Sequence, residues 1–525
     1  MNKDIYFAHN IQDLKLIEVY KNYSKIFLPV MTISRDTYNY AKNNGIEDVV
    51  LIENNDNSIV DEEFYIADII ARDLDCGESE IRKSILGYSD DSLGWNYLNF
   101  FFIIHALLKI DKVFKNIISL MPVFKKIYVV NNSSYPSFHF DSLLNKSLLL
   151  KYLVERCESI ILISGEFTNK ENSLKKIQKK IESKFSEYSL ITHIPTAFYD
   201  NDKFCEKYNL DLSSVIDIES PNWDVMINPK RIQLIEDNNF NTRYDYPEKY
   251  FLAYKELMSE NFKKISCRID NKFKFEHDIF IPMAKFHLNL KNDLENLRIF
   301  NKVKKLYISE HDAGLHGPLM YVATKNDVEI NVIPHSRIQS IPLPYFPKLI
   351  RYEVYTRSNY LNLGNQENII KNEITTKSII SAKRVKIEKI LFLFNAEDDA
   401  YSIPYTNLKI FNIAFNNFLN ELRSKNIEIG IRFKPGKFRS IEIKNEYTNC
   451  DGDKVGLIHW PDVCVSLFTP TSYMHEFQIT GKMCYHLQEK KLNESEEVLS
   501  SKNLICLTAK KYKDLFSDLI YILNI

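Results

Sequence analysis

At 525 residues, with 45% hydrophobic and 26% charged side chains, the chain has the balance of a folded globular protein and is too long for one hydrophobic core, which stops growing near ~250–300 residues. Its 68 Lys and Arg nearly cancel its 69 Asp and Glu, which excludes a nucleic-acid surface held by net charge and makes any anion site a local one. Eight cysteines without a Cys-x-x-Cys pair exclude a disulfide or zinc framework and read as reduced thiols.

Met1–His9 enters a strand-like segment without the basic-then-apolar layout of a secretory signal, so the expected location is the cytoplasm. Short apolar strands then alternate with amphipathic helices, the pattern of a parallel sheet covered on both faces. Strands are predicted at Ile5–Ala8, Lys25–Pro29, Asp48–Ile52, Lys126–Val130, Ser159–Ser164, Ser189–His193, Lys305–Ser309 and Ile330–Pro334. Helices are predicted at Leu14–Tyr23, Asp36–Asn44, Leu98–Ile118, Phe140–Cys157 and Leu174–Phe185. The most apolar stretch, Tyr97–Ile110, is shorter than the ~20 residues of a spanning helix. It reads as a buried helix and leaves open an aromatic face touching the inner side of a membrane. Residues 197–287 read as an insertion, partly helical around Pro247–Phe262.

The cluster Ile341-Pro-Leu-Pro-Tyr-Phe-Pro347 interrupts helix and sheet alike. It divides the chain into an N-terminal domain, 1–340, a linker region, 341–388, and a C-terminal domain, 389–525. In the last part strands are predicted at Lys389–Phe394, Ile427–Phe433, Val455–His459, Val463–Leu467 and Lys482–His486, and helices at Leu408–Arg423, Ser472–Thr480 and Ala509–Leu523. The final helix could pack back on the N-terminal domain. The expected fold is α/β, two Rossmann-like domains facing across a cleft at the carboxyl ends of their strands.

Four regions of the chain carry candidate chemistry. Val463–Leu467 ends in a Thr/Ser-rich turn opening a helix, so Thr469, Thr471 and Ser472 are placed to hold a phosphate and Glu476 to meet ribose hydroxyls; an ordinary N-cap with a solvated Glu fits as well. Ile429–Lys437 carries Arg432, Lys434 and Lys437 into a turn at the same edge, where cations would neutralise that phosphate, although alternation also puts Arg432 and Lys434 on one face that could simply be solvated. In the N-terminal half, Glu310, His311 and Asp312 follow one strand, His335 follows the next, and Glu166 follows the apolar run ending at Ser164. Such carboxylates and imidazoles suit acid–base or nucleophilic work, although Asp312 could equally cap a helix and Glu166 lie in an exposed loop. The acid pairs Asp73/Asp75 and Asp451/Asp453 do not follow buried strands, so no metal is expected.

Lys434-Pro435, Asp462, Thr471-Ser472, Glu476 and Gly481-Lys482 resemble the nucleotide-binding half of GT-B glycosyltransferases, and among these the bacterial enzymes that use CMP-activated ulosonic acids such as Kdo in lipopolysaccharide and capsule synthesis. The resemblance covers about the last quarter of the chain. Its turn here reads Phe433-Lys434-Pro435 without the family's His, and Ser336 stands where a Pro-His-Gly turn would carry Gly. The resemblance implies a nucleotide-sugar donor as substrate, no separate cofactor, and a glycan or glycolipid acceptor. It is shared by nucleotide-sugar 2-epimerases, so an isomerase remains open, as does a non-catalytic glycan-binding relative.

Overall fold

The computed structural model describes residues 4–8, 11–24, 29–32, 35–46, 48–51, 62–89, 94–101, 104–105, 108, 124–131, 157–164, 187–192, 201–211, 214–219, 232–233, 244–269, 280–296, 299–309, 316–334, 345–346, 349–354, 366–373, 386–394, 408–433, 441, 443–444, 446–451, 457–467, 472–488, 503–509 and 511–525. The protein is of the α/β class, and its strands gather into three parallel sheets. The first contains β1 (Ile5–Ala8), β2 (Val30–Thr32), β3 (Val49–Leu51), β4 (Phe124–Asn131) and β5 (Cys157–Ser164), with helices α1 (Ile11–Ser24), α2 (Arg35–Asn43) and α3 (Glu62–Leu86) between them. The second contains β6 (Tyr188–Thr192), β7 (Val215–Glu219), β8 (Ile232–Gln233), β9 (Val303–Ser309), β10 (Glu329–Ile333), β11 (Ile350–Val354) and β12 (Ile369–Glu373). Its helices are α4 (Asn201–Tyr208), α5 (Glu248–Ile269), α6 (Phe280–Asn296) and α7 (His316–Lys325). The third contains β13 (Lys389–Phe394), β14 (Glu428–Phe433), β15 (Thr448–Asn449), β16 (Val463–Leu467), β17 (Met483–Gln488) and β18 (Leu504–Thr508), with α8 (Leu408–Ser424), α9 (Ser472–Ile479) and α10 (Tyr512–Leu523).

The strand orders are β3-β2-β1-β4-β5, β12-β11-β10-β9-β6-β7-β8 and β15-β14-β13-β16-β17-β18. In each sheet the chain lays its first strand in the middle, moves outward by two, and returns to the other side. The reversals fall at β1/β4, β6/β9 and β13/β16, the positions where open α/β sheets leave a crevice beyond the strand carboxyl ends.

The N-terminal run expected to form one sheet is divided between two. The segment read as an insertion supplies β7 and β8, and the segment read as a linker supplies β11 and β12. β11, Ile350-Arg-Tyr-Glu-Val354, alternates in character instead of forming the apolar run of a strand buried on both faces. A turn at Leu457–Trp460 replaces the end of the strand expected at Val455–His459. The second strand begins at Val30, just after the predicted Lys25–Pro29. The predicted helices at Phe140–Cys157 and Leu174–Phe185 lie outside the described residues, except for Cys157, which opens β5.

In the third sheet β13 is buried on both faces. Ile390, Phe392 and Phe394 pack with Phe411, Phe415 and Phe418 of α8 and with Tyr512 and Phe516 of α10. On the reverse side Leu391 and Leu393 meet Met474 and Phe477 of α9. The final helix thus packs on its own sheet, its Phe516 ring stacked on Phe418 at 4.5 Å. Among the described residues no helix is long and apolar enough to cross a membrane.

The first and second sheets share one apolar core, which holds Ile5 and Phe7 of β1, Leu306 and Ile308 of β9, Leu74 of α3 and Tyr254 of α5. A charged network is buried within that joint. Arg82 of α3 pairs with Glu78 at 2.6 Å, and its guanidinium lies 4.4 Å from the Trp95 ring centroid. Asn96 donates its side-chain amide to Glu78 (2.6 Å), while Asp75 accepts the main-chain N–H groups of Gly94 (2.6 Å) and Asn96 (3.1 Å). These bonds pin Gly94 and Asn96, on either side of Trp95, onto α3. A Cβ on Gly317, in the first turn of α7, would lie 2.2 Å from the Trp95 Cα, so only glycine lets that helix approach the pinned loop.

Burial raises the Asp75 and Glu78 carboxyls above their ordinary range, with Arg82 opposing. Replacing Arg82 by Met removes the counter-charge and is expected to cost about 3–5 kcal/mol, the usual loss when one member of a buried pair goes. A raised carboxyl binds its proton more tightly in the folded than in the unfolded state, so this penalty should shrink as pH falls. Urea melts of Arg82→Met and wild type at pH 8 and pH 5 measure it; an equal penalty at both would remove these carboxylates from the account.

Candidate functional site

The carboxyl edge of the third sheet has the best-defined polar geometry. Strand register places Arg432, Leu393, Ser466, His486 and Cys506 in one row across β14, β13, β16, β17 and β18. Side chains alternate between faces along a strand, and this row lies on the face covered by α9. One level deeper the row reads Gly430, Leu391, Cys464, Cys484 and Leu504. The layer under α9 therefore turns from apolar to polar near the carboxyl ends of β14, β16 and β17, at Arg432, Ser466 and His486, while β13 stays apolar there with Leu393.

Arg432 anchors one end of the polar row. Its guanidinium lies over the Tyr473 ring, 4.0 Å from the centroid, and its buried Nε has no hydrogen-bond partner. Burial lowers the guanidinium pKa below its ordinary value, and among the described residues the opposing influences come from uncharged groups, Tyr473 first. An unpaired guanidinium N–H removed from water carries a desolvation cost that a bound anion would offset. The Phe433 N–H donates to Asp451 Oδ1 at 2.9 Å, which fixes the end of the strand that carries Arg432. Tyr473 is the second residue of α9, whose first turn leaves N–H groups unsatisfied at the same edge.

Of the residues placed from the sequence at the phosphate or in catalysis, Arg432 is the one whose side-chain contacts are described. Ser472 opens α9 and Glu476 lies in its second turn, consistent with the helix start expected there. Lys434, Thr469 and Thr471 lie outside the described residues. So do Glu166, Glu310, His311, Asp312 and His335, but the strands before them are described. β9 and β10 are neighbours with Ser309 beside Ile333, so the chain enters Glu310–Asp312 and His335 from adjacent positions. Glu166 instead follows β5, the edge strand of the first sheet.

Three residues of the resembling motif sit at the opposite edge. Asp462 accepts the N–H groups of Glu388 and Lys389, both at 2.9 Å, where β13 begins. Lys482 donates to the carbonyls of His459 and Pro461. Gly481 has φ +80°, the left-handed residue that closes α9 before β17. These side chains tie the amino ends of β13, β16 and β17 and are remote from the carboxyl edge. Of the acid pairs, Asp75 and Asp451 accept main-chain N–H groups and Asp73 pairs with Lys264 at 3.0 Å. No cluster of three or more potential metal ligands occurs among the described residues.

Sequence reasoning missed a further polar group, on β11. Glu353 is buried, with Lys207 at 3.2 Å and the Tyr208 hydroxyl donating to its other oxygen. It holds α4 against the carboxyl half of the second sheet, where Phe204 and Tyr307 pack edge to face. No pattern in Ile350–Val354 links it to a helix some 145 residues earlier. Comparison with protein-family models and with curated proteins finds no match.

Asp462→Ala leaves two N–H groups without their acceptor and is expected to cost about 1–2 kcal/mol of stability. Urea melts of the variant and wild type check this; an unchanged midpoint would remove Asp462 as the side chain that ties the start of β13.

Proposed function

We propose that the protein is a glycosyltransferase that binds a nucleotide-activated sugar, by preference a CMP-linked ulosonic acid, at the carboxyl edge of the third sheet and transfers the sugar to a bacterial surface glycan or glycolipid. The observation that carries this reading is the half-buried Arg432 guanidinium, stacked on Tyr473 with an unpaired Nε beside the start of α9. A permanent cation and a helix N-terminus converging at one sheet edge suit a phosphate monoester or diester. The strand reversal at β13/β16 supports the same location.

In this reading the second sheet faces that edge across a cleft and supplies the acceptor side. Arg432 and Lys434 neutralise the phosphate, Thr469, Thr471 and Ser472 donate hydrogen bonds to it, and Glu476 accepts from the ribose hydroxyls. The Asp312 carboxylate attacks the anomeric carbon as its bond to the phosphate oxygen breaks, and CMP leaves with the electron pair. The acceptor hydroxyl then displaces Asp312 and gives its proton to a base, for which Glu166 is the candidate, so the configuration is retained. His335 meets the donor carboxylate, while Glu310 and His311 flank the reacting centre. No metal takes part, and a glycolipid acceptor would bring the protein to the inner face of the membrane.

A thermal-shift panel of CMP, CDP, UDP, GDP and ADP should show a selective rise with CMP; at ~100 times the dissociation constant the gain is about 2.7 kcal/mol. Arg432→Gln should reduce CMP affinity ten- to a hundredfold, the worth of a charge-assisted hydrogen bond. Absence of any nucleotide response, or an unchanged affinity in Arg432→Gln, would overturn the assignment. With a CMP-linked donor and no acceptor, a stereochemical change at the sugar would replace transfer by epimerisation.

A further inference from the structure

The other end of the polar row holds a group that none of this chemistry uses. His486 lies on β17, a strand with neighbours on both sides, and its side chain is fully buried. Neither ring nitrogen has a hydrogen-bond partner. The Ser466 main chain is close enough to favour the charged ring slightly, but outside hydrogen-bond geometry. Burial dominates and pushes the imidazole down to about 4, so at neutral pH it is uncharged, with one N–H to donate and one nitrogen to accept. An apolar residue of the same size would fill this position without the desolvation cost.

The packing of α9 on β17 brings its start toward the level of this ring. The thiol of Cys484 lies 3.7 Å from the Met474 carbonyl oxygen. His486 is two residues nearer the carboxyl edge on the same face, roughly 6.6 Å further along the strand. As the crossover between parallel β16 and β17, α9 runs back from that edge, so its first residue, Ser472, lies toward the level of His486. The free N–H groups at the start of the helix and the imidazole thus approach the same edge, with Arg432 at the far side of the row across β13 and β16.

We propose that His486 is part of the anion site, its neutral N–H donating from the sheet side to the phosphate that the start of α9 and Arg432 receive from the other sides. This deepens the reading of the third sheet as a nucleotide site and rests on it. The ligand class is a phosphate ester, held by one permanent cation and by uncharged donors.

CMP binding to the full chain, measured by calorimetry at pH 7, tests the proposal. His486→Leu should bind CMP ten- to a hundredfold more weakly, the loss of one hydrogen bond to a charged group. His486→Gln, which keeps an N–H donor, should stay within about threefold of wild type. In wild-type protein labelled with 15N at histidine, the His486 ring nitrogens, assigned by their loss in His486→Gln, should shift on saturation with CMP. That readout stands even if His486→Leu does not fold. Wild-type affinity in His486→Leu, equal weakening in both variants, or unmoved ring nitrogens would overturn the role of His486 and leave the nucleotide site standing. A wild-type protein that binds none of CMP, UMP, GMP and AMP would instead remove the nucleotide site itself, and this proposal with it.

Discussion

A parallel sheet sends every strand out through the same edge, and each crossover helix starts from that edge. Unpaired main-chain N–H groups and strand-end side chains are therefore concentrated there, while the strand interiors are covered on both faces and have to be apolar. The third sheet follows this constraint residue by residue. Gly430, Cys464 and Cys484 lie in the deeper row on the face of α9, and one pleat later Arg432, Ser466 and His486 follow them, with Leu393 of β13 between Arg432 and Ser466. Polar groups one level deeper would be cut off from any ligand; one level further out they would be solvated and unselective.

The joint between the first and second sheets answers a different need. Helices α3 and α5 bring Tyr250, Tyr254 and Leu74 into a core that both sheets use, and Asp75, Glu78 and Arg82 are buried with them. A buried ion network contributes little net stability compared with an apolar replacement. What it does here is geometric: the Asp75 carboxylate holds the main chain at Gly94 and Asn96 while Glu78 holds the Asn96 side chain, and the pinned Trp95 sets how closely α7 can approach. The third sheet has no counterpart among its described residues. Its apolar faces are filled by rings, Phe392, Phe394, Phe411 and Phe415 on one side.

Much of this is legible in the sequence where a strand is an uninterrupted apolar run. Lys389–Phe394 and Val463–Leu467 are predicted with their observed bounds. β7 and β11 escape because Val215-Ile-Asp-Ile-Glu219 and Ile350-Arg-Tyr-Glu-Val354 interleave charges, and the reversal of strand order that assigns them to a sheet is a long-range property. In the candidate site, Arg432 is legible as a cation at a strand end. Tyr473 and His486 are not: Tyr473 becomes a partner only through the packing of α9, and His486 has the sequence surroundings of any histidine in an apolar strand. Pattern alone also cannot separate the two edges of a sheet. Asp462 and Lys482 belong to the same motif as Ser472, yet they close the amino edge.

The central claim is that a nucleotide occupies the carboxyl edge of the third sheet. Hydrogen–deuterium exchange of the full chain, with and without saturating CMP, tests it most directly because it reports every segment at once. The account predicts slowed exchange concentrated in peptides covering Glu428–Phe433 and Ser472–Ile479, with the first sheet unchanged. Protection confined to the crevice between β1 and β4, with none at Arg432 or α9, would contradict it.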